Sequence, residues 1–168
     1  MSSMADRLEA EIPGLRRYAW ALTRDDAAAD DLVQDCLERA MSRWYLRRPD
    51  GNLRAWLFTI LRNLHISGLR QRRRRGPHED IDAACLPGVS GGQEEALACS
   101  DIFDALDRLP EEQKSLILLV GVEDMSYGDA AEILAIPVGT VMSRLSRGRA
   151  ALRRLLDRRP AAPLRRVK

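Results

Sequence analysis

Residues 125–149 read MSYGDAAEILAIPVGTVMSRLSRGR and predict two short helices joined by a tight turn. Ser126 and Asp129 have the spacing of a capping box, which indicates that a helix starts at Ser126, and apolar residues then recur at helical spacing. Pro137 has no N–H to donate and disfavours helical geometry in the residue before it, but its fixed φ suits the first turn of a new helix. The first helix therefore ends before Pro137, and a second begins at about Val138.

The second helix has two faces of different chemistry. One stripe is suited to packing and contains Val141, Leu145, Gly148 and Leu152. The other is polar and cationic and contains Thr140, Ser143, Arg144 and Arg147. Such side chains can donate to phosphates and to base edges in a major groove, where arginine to guanine is the commonest specific contact. The pattern predicts a DNA-binding helix-turn-helix, and the alternative is an ordinary surface helix with solvated arginines.

The composition is typical of a soluble globular protein, since 45% of the 168 residues are apolar and 31% are charged. The chain lacks an apolar run of membrane-spanning length and the basic-then-apolar pattern of a signal peptide, so we expect a cytoplasmic protein without membrane insertion. Cys36, Cys85 and Cys99 lack metal-ligand spacing, and we expect neither a metal site nor a cofactor. Unpaired intracellular thiols are the usual case, and a redox pair of Cys85 and Cys99 is the alternative.

The net charge of +2 conceals two basic blocks separated by an acidic one. Residues 53–75 contain seven arginines and no acid, residues 93–136 contain eleven acids and two bases, and residues 137–168 contain ten bases and one acid. Two separate positive surfaces indicate two contacts with one long polyanion rather than a single basic tail.

Apolar residues recur mostly at intervals of three and four, so the chain is predicted to be all-α. Helices are expected at about residues 6–22, with an interruption at Pro13, and at 27–44, 53–74, 94–108 and 111–122, before the two of the helix-turn-helix. Residues 76–92 are rich in Gly, Pro and acids and lack periodicity, which predicts a flexible linker. The chain thus divides into two small helical domains, residues 1–75 and 93–156, followed by a basic tail at 157–168.

Four blocks, taken in order, resemble the extracytoplasmic-function (ECF) class of bacterial RNA polymerase sigma factors. They are DDLVQDCLERA, LRAWLFTILRNL, LPEEQKSLILLV and SYGDAAEILAIPVGTVMSRLSRGR, and the resemblance covers about residues 12–156. Two segments, LRRYAWALTRD and PVGTVMSRLSRGR, further resemble the general-stress-response branch of this class. One departure is Ala135, where the family commonly has Gly; if the position requires positive φ, Ala would be strained by of order a kcal/mol.

The resemblance implies that residues 1–75 form sigma region 2 and residues 93–156 form sigma region 4. Thr140, Ser143, Arg144 and Arg147 would then read the −35 element. An acidic patch on the second helix would dock on the core polymerase, and it consists of Asp30, Asp31, Gln34 and Asp35. An acidic helix face in a protein destined for DNA suits a basic protein partner better than phosphate, although a solvated polar face is the alternative.

The same resemblance assigns the long helix at residues 53–75 to recognition and strand separation of the −10 element. Its polar side chains would track phosphates or a separated strand, namely Arg54, Arg62, Asn63, His65, Arg70, Arg72 and Arg73. Trp44 and Tyr45 lie beside the preceding loop, where an extruded base could stack. Trp56 is interpreted as a core residue because it lies inside a strongly apolar helix.

No enzyme motif is recognisable, because the chain lacks a phosphate-binding glycine loop, a nucleophile elbow and a zinc-hydrolase motif. The function expected is therefore that of an alternative sigma factor, with core polymerase, duplex and locally melted promoter DNA and an anti-sigma factor as partners. The alternatives are a sigma-like decoy that sequesters an anti-sigma factor and a helix-turn-helix repressor or recombinase. A decoy has no need of Arg144, Arg147 and the arginine cluster at 70–75.

Overall fold

The structure is a computed structural model that describes residues 3–76 and 93–157, with side-chain surroundings from residue 99 onward in the second range. These residues form helices and contain no strand, which confirms the all-α prediction. The helices are α1 (Met4–Glu9), α2 (Ile12–Thr23), α3 (Asp26–Ser42), α4 (Leu53–Arg75), α5 (Gln93–Asp107), α6 (Glu111–Gly121), α7 (Tyr127–Leu134) and α8 (Val138–Asp157), with a 3-10 turn at Trp44–Leu46 after α3.

Side-chain caps explain where the helices of the first range begin. Ser3 caps α1 in a reciprocal capping box with Asp6, Asp25 accepts from the backbone N–H of Ala28 at 2.7 Å, and Asn52 accepts from that of Ala55 at 3.2 Å. Pro13 lies in the first turn of α2, where its missing N–H costs nothing, and this position separates α1 from α2.

The helix-turn-helix consists of α7 and α8. The Ser126 hydroxyl accepts from the Asp129 N–H at 3.0 Å and so caps α7 as predicted. Ala135 ends α7 in the left-handed conformation with φ 53°, so the departure from Gly falls at a position that does require positive φ. On α8, Val141, Leu145 and Gly148 are buried, and a Cβ at Gly148 would lie 3.2 Å from the Ile117 Cδ1 of α6, so a larger residue would require Ile117 to shift.

Replacing Ala135 by Gly should raise the free energy of unfolding by roughly 0.5–1 kcal/mol, because the left-handed penalty on Ala exceeds the extra backbone entropy that Gly loses on folding. Urea denaturation followed by circular dichroism measures the change. Ala150→Gly is the matched control within regular helix, and it should lower stability by about 1 kcal/mol. Loss of stability in both variants would show that the turn imposes no strain.

The described residues on either side of the predicted linker share one continuous core. We call residues 3–76 the N-terminal half and residues 93–157 the C-terminal half. Fully buried side chains of both halves form this core, including Leu15, Tyr18, Leu57, Phe58, Leu61, Leu116, Leu119, Ile133, Val141 and Leu145. The linker residues 77–92, with Cys85, and the tail residues 158–168 lie outside the described residues.

The halves meet where α2 packs against α6 and α4 packs against α7. The sequence predicted two domains and a linker, but it did not predict this direct contact. Its consequence is that one face of α4 is covered by protein.

The thiol of Cys36 is buried and donates to the Leu57 carbonyl at 3.4 Å. Burial raises its pKa to about 12, so the reactive thiolate is scarce near neutral pH. Cys99 is partly buried and free.

Candidate nucleic-acid interface

The outward face of α8 presents most of the side chains that the sequence selected. Ser143 and Arg147 are exposed, and Thr140 is partly exposed at the start of the helix. The Arg147 Nε donates to the Ser143 carbonyl at 3.4 Å, and the Ser143 hydroxyl donates to the Thr140 carbonyl at 3.1 Å. These bonds hold Ser143 and Arg147 against the backbone of α8 and leave the Arg147 side chain exposed.

Arg144 is less accessible than the pattern implied, since 31% of its side chain is exposed. Its Nη1 donates to the carboxylate of Glu112 at the start of α6, which the sequence analysis did not identify. An acid beside a DNA-reading arginine competes with phosphate or base for the same guanidinium. Arg147 is therefore the more available of the two arginines.

A shallow groove beside this face adds cationic residues that the sequence analysis missed. It lies along α8 next to Tyr127 of α7, and Met142, Ser146, Arg149 and Arg153 line it. Arg149 and Arg153 are both exposed, so the positive surface of α8 is wider than the predicted stripe.

The acidic patch lies on the solvent face of α3. Asp30, Asp31, Gln34 and Asp35 are all exposed, and the buried stripe of the helix consists of Ala29, Val33, Cys36 and Ala40. Asp30 forms an ion pair with Arg16 at 2.8 Å, and Gln34 donates to Glu38 at 3.0 Å. Among the described residues, no ion pair offsets the charges of Asp31 and Asp35, which are therefore the freer carboxylates of the patch.

The end of α4 forms the second cationic surface. Asn63, Arg70, Arg72 and Arg73 are exposed, whereas Arg62 is partly buried and its Nε lies buried without a hydrogen-bond partner. No acid precedes these arginines within α4, so phosphate attraction is not offset within the helix.

Of the two aromatic residues that precede α4, Tyr45 is exposed and Trp44 is packed. Tyr45 is 80% exposed and available for stacking. Trp44 instead packs edge-on against Trp56, with ring centroids 6.3 Å apart, and the guanidiniums of Arg7 and Arg47 lie over its ring at 5.7 Å and 5.0 Å. Trp56 packs against the core as expected.

Two residues assigned to the −10 surface do not lie on an open face. His65 is 4% exposed, and its Nε2 lies 3.0 Å from the Glu111 carboxylate. Arg54 donates to Glu11 at 3.2 Å and to the Glu123 carboxylate at 2.7 Å. His65 thus packs against α6, and Arg54 is held by Glu11 and by the turn after α6; their assignment to the −10 surface stays a prediction.

The interface between the halves is rich in polar groups. The hydroxyls of Tyr18 and Ser115 are 2.5 Å apart, and Lys114 donates to the Leu22 carbonyl at 3.3 Å. Burial raises the pKa of Tyr18, so this hydroxyl stays protonated. The Arg24 guanidinium lies 4.8 Å from the ring of Trp20 and 4.8 Å from that of Phe103 on α5. The contact between the halves therefore combines these polar groups with the shared apolar core.

Glu111 makes the stability of this interface depend on pH. Burial alone would raise its pKa, but the hydrogen bond from His65 and the charges of His65, Lys114 and Arg62 outweigh burial and lower it. A lowered pKa in the folded state stabilises the fold above the unfolded value of about 4.3, and this contribution is lost as the pH falls through the folded value.

We therefore expect the difference in unfolding free energy between the unaltered chain and Glu111→Gln to be largest above pH of about 5 and to shrink in more acid solution. Urea titrations at several pH values measure it, with Glu112→Gln as the control because that acid is more exposed. A difference that stays constant down to the most acid point would contradict the assignment.

Within residues 3–76 and 93–157, none of the helices combines the length and the apolar character that a membrane crossing requires. The same residues contain no group of three or more His, Cys, Asp or Glu side chains that could hold a metal ion.

Each half of the chain matches a family model of a sigma-type domain. Residues 8–62 match the model described as the sigma2 domain of PhyR, and residues 100–152 match the model described as sigma-70, region 4. The ECF RNA polymerase sigma factor EcfG of Rhodopseudomonas palustris is 42% identical over 154 residues, which cover 92% of this chain and 85% of the relative. The ECF RNA polymerase sigma-E factor of Haemophilus influenzae is 32% identical, with 87% and 82% covered.

Solved structures agree with these relatives. The sigma factor RpoE of Bartonella quintana, solved in complex with the anti-sigma factor NepR, matches with a TM-score of 0.79 and 35% identity, covering 93% of this chain and 98% of that one. CnrH, solved in complex with the cytosolic domain of CnrY, matches with a TM-score of 0.71 and 25% identity, covering 91% and 86%.

Proposed function

The chain belongs to the extracytoplasmic-function family of RNA polymerase sigma factors and is therefore an alternative sigma factor, and we propose a division of labour among its surfaces. The acidic patch on α3 binds the core polymerase. The outward face of α8 reads the −35 element, and the cationic end of α4 with Tyr45 binds the −10 element and its separated strand.

The observation that carries this proposal is the separation of charge on the described surface. Asp31 and Asp35 are exposed on one face of the N-terminal half, while exposed arginines occupy the end of α4 and the outward face of α8. A negative surface repels DNA and attracts a basic protein, and positive surfaces do the opposite. One chain thus carries complementary surfaces for a protein partner and for a polyanion.

A protein of the NepR kind is the proposed regulator, since the RpoE structure that matches over most of this chain was solved in complex with NepR. We infer that such a partner restrains the chain until a stress signal releases it, and that the chain acts in the cytoplasm without catalysing a reaction itself. The proposed partner would hide the acidic patch, the face of α8, or both.

The second candidate function is that of a decoy for an anti-sigma factor. It is favoured by one observation, the match of residues 8–62 to the sigma2 domain of PhyR, a protein described as an anti-anti-sigma factor in its solved complex with NepR. The exposed Arg147 and the arginines at the end of α4 have no purpose in a decoy. Co-elution with purified core polymerase in size-exclusion chromatography separates the two functions, because a sigma factor should co-elute and a decoy or a simple repressor should not.

A further inference from the structure

The Glu123 carboxylate is the most buried acid at the interface between the halves, with 0% of its side chain exposed. It follows α6 and is held by two backbone bonds, from the Glu123 N–H to the Leu118 carbonyl at 3.1 Å and from the Met125 N–H to the Leu119 carbonyl at 2.9 Å. Asp124 adopts φ 51° and turns the chain back toward α7. The carboxylate is therefore directed inward by a fixed turn.

Two arginines of the N-terminal half bind this carboxylate. Arg17 is bidentate, with its Nε 3.1 Å from Oε1 and its Nη2 2.9 Å from Oε2. Arg54 places its Nη2 2.7 Å from Oε2 and 3.1 Å from the Glu123 carbonyl. Guanidinium groups bind carboxylate and phosphate with the same geometry, so Glu123 occupies donors of Arg54 that could otherwise hold a DNA phosphate.

Residues of the N-terminal half surround the Glu123 carboxylate. Gly14 of α2 lies against it, and a Cβ there would be 3.1 Å from the Glu123 Oε2. Both arginines retain access to water, since 55% of the Arg17 side chain and 32% of the Arg54 side chain are exposed. If the halves separated, all three charged groups would become hydrated, and no buried charge would be left unpaired.

We propose that Glu123 is an internal competitor of promoter DNA: it closes the two halves on each other by occupying Arg17 and Arg54, so that Arg54 becomes available to DNA only when the chain opens. This deepens the proposed function and rests on the assignment of Arg54 to DNA. Asn52, the N-cap of α4, donates to Asp129 at 3.0 Å across the halves and adds to the closure.

The proposal predicts a gain of function when the carboxylate is neutralised. Hydrogen bonds to charged groups are strong enough that their loss should shift the closed-to-open equilibrium about ten-fold. DNA affinity scales with the fraction of competent, open chain, so Glu123→Gln should bind fluorescein-labelled oligo(dT) up to about ten-fold more tightly. Fluorescence anisotropy of the free full-length chain measures this affinity.

The matched control is Glu132→Gln, which removes the same charge from an exposed position in the same half. It corrects for the general electrostatic gain that follows when an acid is removed from a DNA-binding protein. Arg54→Ala in the Glu123→Gln background should cancel the specific gain. Circular dichroism checks that each variant is folded. If Glu123→Gln does not fold, Arg17→Gln replaces it, because this substitution weakens the same contact from its exposed side.

Opening is measured independently of DNA by spin-label distances between Glu9→Cys and Arg154→Cys, with Cys85 and Cys99 changed to Ser. Glu123→Gln, or Arg17→Gln if it is used, should add a longer and broader distance population, and Glu132→Gln should not. A closed distance distribution, or oligo(dT) affinity equal to that of the control, overturns the proposal. Arg54→Ala alone separates the two parts of the proposal. If it leaves DNA binding unchanged while Glu123→Gln still lengthens the spin-label distances, the proposed role of Arg54 fails, although the closure itself stands.

Discussion

Asp31→Lys combined with Asp35→Lys should weaken binding to core polymerase by roughly 100-fold or more, because close charge pairs across protein interfaces contribute about 1.5–7 kcal/mol each. Both carboxylates are exposed on α3, away from the stripe that packs into the core. Reversing their charge replaces attraction to a basic partner by repulsion and leaves the core of the N-terminal half intact. Competition for fluorescently labelled core polymerase measures the loss.

The matched control for these reversals is Glu9→Lys combined with Asp50→Lys, which changes the net charge equally at exposed positions of the same half. Thermal unfolding should be similar for both double variants, since surface substitutions typically change stability by less than about 0.5 kcal/mol each. Core affinity that is unchanged by the α3 reversals would remove the acidic patch from the proposed interface.

Arg147→Ala should cost about 1–3 kcal/mol in binding to the −35 element and relax the preference for that sequence, as expected when a side chain that reads a base edge is removed. Arg144→Ala should have the smaller effect, because Arg144 must first leave Glu112 before it can contact DNA. The measurement is binding of holoenzyme to promoter DNA and to the same DNA with a scrambled −35 element.

Arg72→Ala and Arg73→Ala provide the comparison, because these exposed arginines at the end of α4 are proposed to contact phosphates only. Their removal should lower affinity for both DNAs by similar factors and reduce the salt slope by roughly one unit for each phosphate that is no longer neutralised. Equal losses on both DNAs for Arg147→Ala as well would mean that α8 also holds phosphates only. Sequence preference would then depend on Thr140, Ser143 or DNA shape.

Local signals were sufficient to predict the helices of this protein. The Ser126 cap, the break at Pro137 and the buried stripe of Val141 and Leu145 depend on residues within one or two turns of each other, and all were confirmed. The departure from Gly at Ala135 also marked a single position, which the structure places in the left-handed conformation.

The contact between the halves could not be predicted in the same way. His65 and Glu111 are far apart in the sequence, as are Arg54 and Glu123, and no periodicity connects such pairs. On α4, an arginine that binds a carboxylate elsewhere in the chain has the same sequence spacing as one that binds phosphate. The exposed arginines at 70–73 and the covered Arg54 were therefore assigned to one surface, although the structure separates them.

Run-off transcription with purified core polymerase tests the central claim most directly. The template carries a promoter identified by transcript mapping after overexpression of the chain, and core polymerase alone is the baseline. We predict that the chain confers a discrete transcript on the core, that the Asp31→Lys, Asp35→Lys variant abolishes it, and that scrambling the −35 element reduces it. Absence of any transcript from a chain that is folded and free of an anti-sigma partner would contradict the claim that it acts as a sigma factor.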